Sequence, residues 1–333
     1  MNDLPLAHSR RATRTDVARR AGVSPAVVTY TLNGSGPVSA KTAQRVKDAV
    51  EELGYRPNLT ARALKMGSTR TLAVIVPDGT NPFFNELAQA VELEARRNGY
   101  ALYMTTSPSN DPATLQHFLE FANRQVDGVL IVPGEGITDA EELNRIGMPW
   151  VLLDASAPFS RSISVDLYAG AFAAVQHLIE HGYDEIGFVG TASPEDLRFR
   201  GWQSACRAAG LEPRIAIESS YTPHGGRAAA DRLVAGERRP RAVFVASDTI
   251  AIGVLKRLHE VDIAVPDEIA IVSFDGSRDA EYAWPGLTTL AQPITHMAQE
   301  AVRLVLRTGD EPAGHQLFEG SLILRESCGA HRP

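Results

Sequence analysis

The stretch TDVARRAGVSPAVVTYTLN, residues 15–33, determines the architecture of the first part of this chain. It contains two short segments with apolar faces, separated by a glycine. The first segment is predicted to be a helix over residues 16–21, because Val17, Ala18 and Ala21 would share one face. Small side chains on that face let a second helix cross closely, as a helix-turn-helix requires.

The second helix is predicted to begin after Ser24, a good N-cap, with Pro25 in the first helical position, where its missing N–H costs nothing. Its inner face is expected to carry Val27, Val28 and Leu32. Its outer face offers small and polar side chains that fit a major groove about 12 Å wide. These outer residues are Ala26, Thr29, Tyr30 and Asn33. A helical hairpin inside a core is the alternative, but its outer face would be apolar.

A third helix and a linker follow this stretch. Ser39 is predicted to cap a helix over residues 40–53, closed by Gly54. Its apolar spacing allows it to cover the first two helices. Residues 58–65 can form about two helical turns, which is too short to be stable alone. We expect this segment to be a flexible linker that folds only against a partner.

Charge is distributed unevenly along the 333 residues. Residues 1–70 carry a net charge of +7 and the remainder carries −14, which gives −7 in all. A basic head on an acidic body indicates a polyanion-binding module joined to a domain that does not bind polyanions. A solvated basic tail is the alternative, but the basic residues extend over three predicted helices.

Composition also narrows the classes of protein. The two cysteines lie far apart and in no C-x-x-C pattern, which favours reduced thiols. We find no apolar run of about 18 residues and no secretory signal, so we expect a cytoplasmic, nucleoid-associated protein without a membrane partner. We predict no metal and no other cofactor, because there is no H-x-x-x-H pair or other ligand spacing among His181, His224, His259 and His296.

From residue 71 the pattern changes to short apolar strands that alternate with helices. The first strand is LAVIVP at residues 72–77, and helical patterns include residues 83–98 and 112–124. Apolar runs of this kind predict parallel strands covered on both faces. The fold class is therefore α/β, with an N-terminal helix-turn-helix unit followed by two doubly wound lobes of about ten strands in all.

These motifs resemble the lactose repressor / galactose repressor (LacI) family of bacterial transcription regulators. The likeness is dense over residues 15–77 and looser up to about residue 327. It implies a disordered tail at 1–12, a helix-turn-helix domain at 13–57, a hinge helix and linker at 58–69, and a periplasmic-binding-protein-like effector and dimerisation domain at 70–327. Its first lobe would take about 70–164 and 293–321, and its second lobe about 165–292 and 322–333.

The resemblance also implies residues that contact DNA. By position, Leu64 matches a leucine that wedges between central base pairs from the minor groove and bends the duplex; packing at a domain junction is the alternative. Tyr30 stands where many members carry an arginine, and tyrosine cannot make the bidentate guanine contact. The implied contacts are Thr15, Ser24, Pro25, Ala26, Thr29, Tyr30, Asn33, Ser39, Thr42, Tyr55, Asn58, Ala61, Arg62, Leu64 and Lys65.

An effector site is expected outside the carboxyl ends of the strands, where open parallel sheets bind ligands. Carboxylates, an arginine and aromatic rings follow the predicted strands there, and this set suits a sugar or polyol. A strand-end cap or a loop salt bridge is the alternative for each residue. Matched by position to the family, the effector residues are Phe83, Asp154, Arg198, Tyr221, Ser247 and Asp275.

The sequence thus predicts a homodimeric, ligand-responsive repressor that binds a pseudo-palindromic double-stranded DNA operator. The identity of the effector and the choice between repressor and activator stay open. An enzyme on the same scaffold is one alternative, but we find no nucleotide-binding loop or nucleophile motif. A sugar-binding module is another, and it would leave residues 15–64 unexplained.

Overall fold

The computed structural model describes residues 12–56, 67–107, 116–117, 120–121, 126–132, 140–145, 147–154, 161–236, 238–307 and 314–329. The chain divides into two compact units, Met1–Thr69 and Arg70–Pro333. The predicted hinge residues and most of the predicted helix over 112–124 lie outside the described residues.

The N-terminal unit contains helices α1 (Arg14–Ala21), α2 (Pro25–Asn33) and α3 (Ala40–Glu52). Ser24 and Ser39 cap α2 and α3 as predicted, each accepting a backbone N–H three residues on. Gly22 and Gly34 close α1 and α2 in the left-handed conformation that favours glycine. The small core between the helices consists of Val17, Ala18, Ala21, Val28, Val46, Ala49 and Tyr55.

Two details of this unit differ from the prediction. α1 begins two residues early, because Thr13 and Asp16 form a capping box in which each side chain accepts the other's backbone N–H. Leu32, expected on the inner face, is 37% exposed. The core covers α2 only as far as Val28, and the last turn of the helix extends beyond it.

The C-terminal unit contains two six-stranded sheets, in agreement with the predicted fold class. The first sheet is parallel throughout, in the order β11-β5-β4-β3-β1-β2. Its strands are β1 (Thr71–Val76), β2 (Ala101–Thr106), β3 (Gly128–Ile131), β4 (Trp150–Leu153), β5 (Arg161–Val165) and β11 (Gly314–Phe318). β11 was not predicted, since GHQLF is a half-exposed edge strand with few apolar residues.

The second sheet is parallel except for β12, which pairs antiparallel with β10, in the order β12-β10-β9-β8-β6-β7. Its strands are β6 (Ile186–Gly190), β7 (Ala216–Glu218), β8 (Ala242–Val245), β9 (Ala270–Asp275), β10 (Thr288–Ala291) and β12 (Ser321–Ile323). We call each sheet with its helices a lobe. The chain crosses between the lobes three times: after β5, after β10 and between β11 and β12.

Helices cover both faces of each sheet. On β1, Leu72, Val74 and Val76 belong to one apolar cluster, while Ala73 and Ile75 belong to another. The first lobe contains α4 (Pro82–Arg97), α5 (Ala140–Arg145) and α11 (Ile294–Leu306). The second lobe contains α6 (Leu167–Glu180), α7 (Leu197–Ala208), α8 (Pro223–Ala235), α9 (Asp248–Glu260) and α10 (Arg278–Tyr282). Within the described ranges, none of the helices combines the length and the apolar character needed to cross a membrane.

Candidate functional site

The outer face of α2 carries half of the predicted DNA contacts that the structure describes. Pro25, Ala26, Tyr30 and Asn33 are exposed there. Thr29 is half-buried, and its hydroxyl donates to the carbonyl of Pro25 at 3.0 Å. The face packs against none of the unit's core residues, so a narrow polar helix surface is available to enter a major groove.

The remaining predicted DNA contacts fall into three groups. Thr15 is exposed on α1, while Ser24 and Ser39 lie at helix N-termini, where backbone N–H groups and the helix dipole favour phosphate oxygens. Thr42 is half-buried beside Ser39, and Tyr55 is a buried core residue. The hinge contacts lie outside the described residues: Asn58, Ala61, Arg62, Leu64 and Lys65.

Arg198 is the central charge of the predicted effector site. It lies in the first turn of α7, whose N-cap Asp196 accepts the backbone N–H groups of Arg198 and Phe199. A Cβ on Gly201 would lie 2.5 Å from the carbonyl oxygen of Tyr168, so this glycine lets α7 approach α6 closely. The position of Arg198 therefore depends on a local cap and on tight helix packing.

The guanidinium of Arg198 is held on several sides. It contacts the Asp196 carboxylate at 3.4 Å and donates to the carbonyl of Ala246 at 3.3 Å. It also lies over the rings of Tyr221 and Phe274, at 5.0 and 5.8 Å from their centroids. Burial opposes the positive charge, but Tyr221 and the nearby acids raise the pKa of Arg198 overall, so it stays a cation.

The carboxylates of Asp154 and Asp275 lie close enough to Arg198 for its charge to affect their pKa values. Asp154 follows β4 in the first lobe, and Asp275 ends β9 in the second lobe, both with positive φ (55° and 111°). Burial raises the pKa of Asp154 to about 6, against the attraction of Arg198. Burial also raises the pKa of Asp275 well above its ordinary value, and the charges of Asp248 and Asp154 add to that rise. The cluster thus combines residues of both lobes.

Tyr221 supplies the aromatic part of this cluster. Burial raises the pKa of Tyr221 to about 12, although Arg198 opposes the shift. The phenol is therefore neutral at physiological pH. It packs against two apolar clusters of the second lobe and against the guanidinium, which places a ring beside the charged groups as a sugar-binding surface requires.

The buried polar atoms near this cluster without a hydrogen-bond partner among the described residues include Asp154 Oδ1, Arg198 Nε and Gln292 Oε1. Leaving a buried donor or acceptor unpaired costs about 1–3 kcal/mol. Hydroxyl groups can both donate and accept, so a polyhydroxylated ligand can satisfy all three atoms. This pattern favours a binding site for a polar, sugar-like molecule.

Two of the predicted effector residues lie in other environments. Ser247 is the N-cap of α9, and its hydroxyl accepts the Ile250 N–H at 3.2 Å, which is the cap alternative considered above. Phe83 is only 2% exposed and belongs to the core of the first lobe, where its ring packs edge-on against Phe84. Contact between either residue and an effector stays a prediction.

Sequence reasoning missed Gln292, which follows β10. Its side-chain amide donates to Asp275 Oδ1 at 3.2 Å, and its backbone N–H donates to the Asp275 carbonyl. The signal was available, because Gln292 directly follows the predicted strand LTTL and its flanking alanine. Residues at that end of a parallel strand are candidates for a ligand site.

Asp248 is the centre of a buried hydrogen-bond network next to the cluster. One carboxylate oxygen accepts the hydroxyls of Ser273 and Thr289 at 2.6 and 2.7 Å, and the other accepts the N–H and hydroxyl of Ser277 at 2.7 and 2.9 Å. Burial raises the pKa of Asp248, while these four bonds favour its ionised form. Ser273 and Thr289 in apolar strands indicated such a partner, because buried hydroxyls are bonded.

The histidine pattern requires a correction. His177 precedes His181 by four residues, so the chain does contain an H-x-x-x-H pair, HLIEH on α6. Their rings lie 4.3 Å apart, and His181 Nδ1 bonds the His177 carbonyl at 2.7 Å. In the part of the chain that the structure describes, no cluster of three or more metal-binding side chains accompanies the pair.

Known proteins resemble both units of the chain. Residues 13–58 match the family model of bacterial regulatory proteins of the lacI family, and residues 175–328 match the periplasmic binding protein-like domain. The HTH-type transcriptional repressor PurR of Mannheimia succiniciproducens is 32% identical over 329 residues, covering 95% of this chain and 98% of PurR.

Two solved structures extend this likeness. The lac repressor dimer bound to operator and the anti-inducer ONPF is 24% identical with a TM-score of 0.83, over 96% of this chain and 99% of that one. At 24% identity, this likeness shows only that the two chains share a fold. The complex of the transcriptional regulator CelR with cellobiose is 28% identical with a TM-score of 0.68, over 95% of this chain and all of that one.

Proposed function

Because this chain belongs to the LacI family of bacterial regulatory proteins, we propose that it is a homodimeric repressor that holds a pseudo-palindromic operator and responds to a sugar-like effector. It acts on DNA in the cytoplasm, at the nucleoid, and it binds its effector without converting it. The observation that carries this proposal is the exposed, polar outer face of α2 in a basic helix-turn-helix unit. The same chain also has a polar cleft, the cluster around Arg198, in which buried polar atoms lack hydrogen-bond partners within the part of the chain that the structure describes.

The DNA-binding half of the proposal is supported by the surface of the N-terminal unit. Its recognition helix α2 exposes Tyr30 and Asn33, and α1 exposes Arg19 and Arg20. Base contacts from α2 would supply specificity, and arginine contacts to phosphates would supply salt-dependent affinity. Tyr30 cannot read guanine as arginine does, so we expect a base preference that includes apolar contacts such as a thymine methyl.

The effector half is supported by the chemistry of the cleft. A cation, two carboxylates with raised pKa values and a neutral phenol suit neighbouring hydroxyls on a sugar ring better than a phosphate, which the carboxylates would repel. The related regulator CelR was solved with cellobiose. A ligand that binds one arrangement of the lobes better than another would shift the protein toward it, and thereby change operator affinity.

Self-association is supported by two exposed aromatic side chains at the end of α10. Tyr282 is 78% exposed and Trp284 is 90% exposed. Large aromatic side chains at that exposure are typical of protein interfaces. We propose that they contact a second copy of the chain, so that two recognition helices reach two half-sites.

Selection of operator sites from random oligonucleotides, with the purified full chain and a panel of sugars, tests the whole proposal. We expect enrichment of a two-fold symmetric site and a change in its affinity with at least one sugar. The control variant Arg198→Met should select the same site and lose the response, because its N-terminal unit is unchanged. Failure of the full chain to prefer any duplex over scrambled competitor would contradict the proposal.

A further inference from the structure

Hydrogen bonds from Thr249 and Arg278 join the lobes along one side, at a seam that the effector cluster does not use. The hydroxyl of Thr249, in the first turn of α9, donates to Asn81 Oδ1 at 3.3 Å. The backbone N–H of Arg278, the first residue of α10, donates to Glu86 Oε1 at 2.8 Å. Asn81 and Glu86 belong to the first lobe, and Thr249 and Arg278 belong to the second.

The bond from Arg278 to Glu86 replaces a helix cap. Ser277 occupies the N-cap position of α10, but it makes no side-chain cap bond. Its hydroxyl is directed instead to the buried carboxylate of Asp248. The first free N–H of α10 therefore depends on an acceptor from the opposite lobe, whereas Ser24, Ser39 and Asp166 each cap their own helix.

The electrostatics of the seam make this acceptor important. Asn81 is the N-cap of α4, and it bonds both the Phe83 N–H of its own helix and the hydroxyl of Thr249. The seam thus brings together the N-terminal ends of α4, α9 and α10. Each end carries a partial positive charge, so the three ends repel one another. The side-chain oxygen of Glu86, an acceptor at the point where the lobes meet, offsets part of this repulsion.

A groove of about 360 Å³ borders the same bond, lined by Pro82, Asn85, Glu86, Gln89, Arg278 and Asp279. The bond therefore lies at the rim of the interface, where water can replace Glu86 as the acceptor when the lobes separate. A cap that exists only while the lobes are in contact responds to their relative position.

We propose that Glu86 is a positioning residue: its carboxylate caps α10 across the seam and so couples the arrangement of the lobes to the order of α10. α10 ends at Tyr282, beside the exposed Trp284. Loosening α10 therefore displaces the aromatic pair to which we assign self-association. This regulatory meaning rests on the proposed function, but the coupling itself is tested without operator or effector.

Hydrogen exchange in the full chain tests the cap. In Glu86→Ala, we expect the backbone amides of residues 278–282 to exchange about tenfold faster, the size of a lost helix cap. Glu86→Gln should restore near-normal exchange, because its side-chain oxygen still accepts the Arg278 N–H. Glu92→Ala is the matched control, since Glu92 lies on the same helix and pairs with Arg96 in the same lobe.

Interlobe distance gives a readout that a merely local cap would not move. Spin labels at Leu93→Cys and Ala208→Cys, both exposed, report on the two lobes, while the native cysteines are buried. The labelled chains are diluted in unlabelled ones. In Glu86→Ala the distribution of distances between the two labels should then gain a longer component, and in Glu86→Gln it should not. Thr249→Val removes the second seam bond and should widen the distribution without accelerating exchange in α10 as strongly.

The proposal is supported only if both changes occur in Glu86→Ala and are reversed in Glu86→Gln. Unchanged exchange in α10, an unchanged distance in Glu86→Ala, or equal effects of alanine and glutamine would each overturn it. None of these results bears on operator selection, so failure here is distinguishable from failure of the proposed function.

Discussion

Replacing Asp154 with asparagine should stabilise the ligand-free protein. Burial raises the pKa of Asp154 to about 6, so its ionised form is less stable in the folded chain than in the unfolded chain. One of its oxygens is buried without a hydrogen-bond partner. Asparagine keeps the shape, tolerates the positive φ of this position and removes the charge. The gain includes relief of Asp275, whose pKa the Asp154 charge also raises.

The size and sign of the effect follow from the pKa shift. The rise of the Asp154 pKa to about 6 corresponds to about 3 kcal/mol, and partial exposure of Asp154 reduces the expected gain to about 1–3 kcal/mol at pH 7.5. Because the folded state binds the proton more tightly, wild-type stability rises as the pH falls through 6. The difference between Asp154→Asn and wild type should therefore shrink below pH 6 and vanish near pH 4.

Urea unfolding followed by tryptophan fluorescence measures this difference. Trp150 is buried in β4, the strand that ends directly before Asp154, so its fluorescence reports on the first lobe. The exposed Asp184 provides a matched control, and Asp184→Asn should leave the midpoint and its pH dependence unchanged. An Asp154→Asn protein that is no more stable than wild type at pH 7.5, or that keeps the wild-type pH dependence, would refute this account of the cleft.

Three further substitutions test other parts of the structure. Arg198→Met should weaken binding of the sugar identified in the operator screen by about 100-fold in calorimetry, because charge-assisted bonds are lost and two carboxylates lose their cation; undiminished affinity would contradict the site. Asp248→Asn should lower the unfolding free energy by about 3 kcal/mol in urea unfolding, because the buried Ser277 N–H loses its acceptor; a neutral result would show that the network is dispensable. Leu64→Ala should weaken specific operator binding more than non-specific binding in fluorescence anisotropy at one salt concentration, and equal losses would refute the wedge role.

Local chemistry made the N-terminal unit predictable. Ser24, Ser39 and Gly54 determine where helices begin and end through bonds that span a few residues, and the structure has them where expected. The predicted start of α1 was wrong because Thr13 and Asp16, three residues apart, act together as a capping box. Helical periodicity places Leu32 on the same side of α2 as the buried Val28, four residues earlier. It could not show that the core ends before Leu32.

The cleft was predictable in part, because its residues follow strands. Arg198, Asp154, Tyr221 and Asp275 are brought together as the topology of parallel sheets implies. Ser247 and Phe83 satisfy the same sequence rule, yet one caps a helix and the other fills a core, since position after a strand does not determine the direction of a side chain.

Long-range partners could not be read from the sequence. The bond between Glu86 and Arg278 joins residues 192 positions apart, and nothing in either local sequence indicates the other. β11 was missed for a related reason, because its place in the first sheet depends on pairing with β5 rather than on its own composition.

The three crossings between the lobes have a consequence for synthesis of the chain. The core of the first lobe needs Met297, Ala301, Val302 and Val305 of α11, which leave the ribosome long after β1 to β5. Until then the apolar face formed by β3, β4 and β5, with Leu130, Val151 and Ile163, has no helix α11 to pack against. A product truncated before residue 294 would expose that face and is expected to aggregate, although most of the second lobe is already complete.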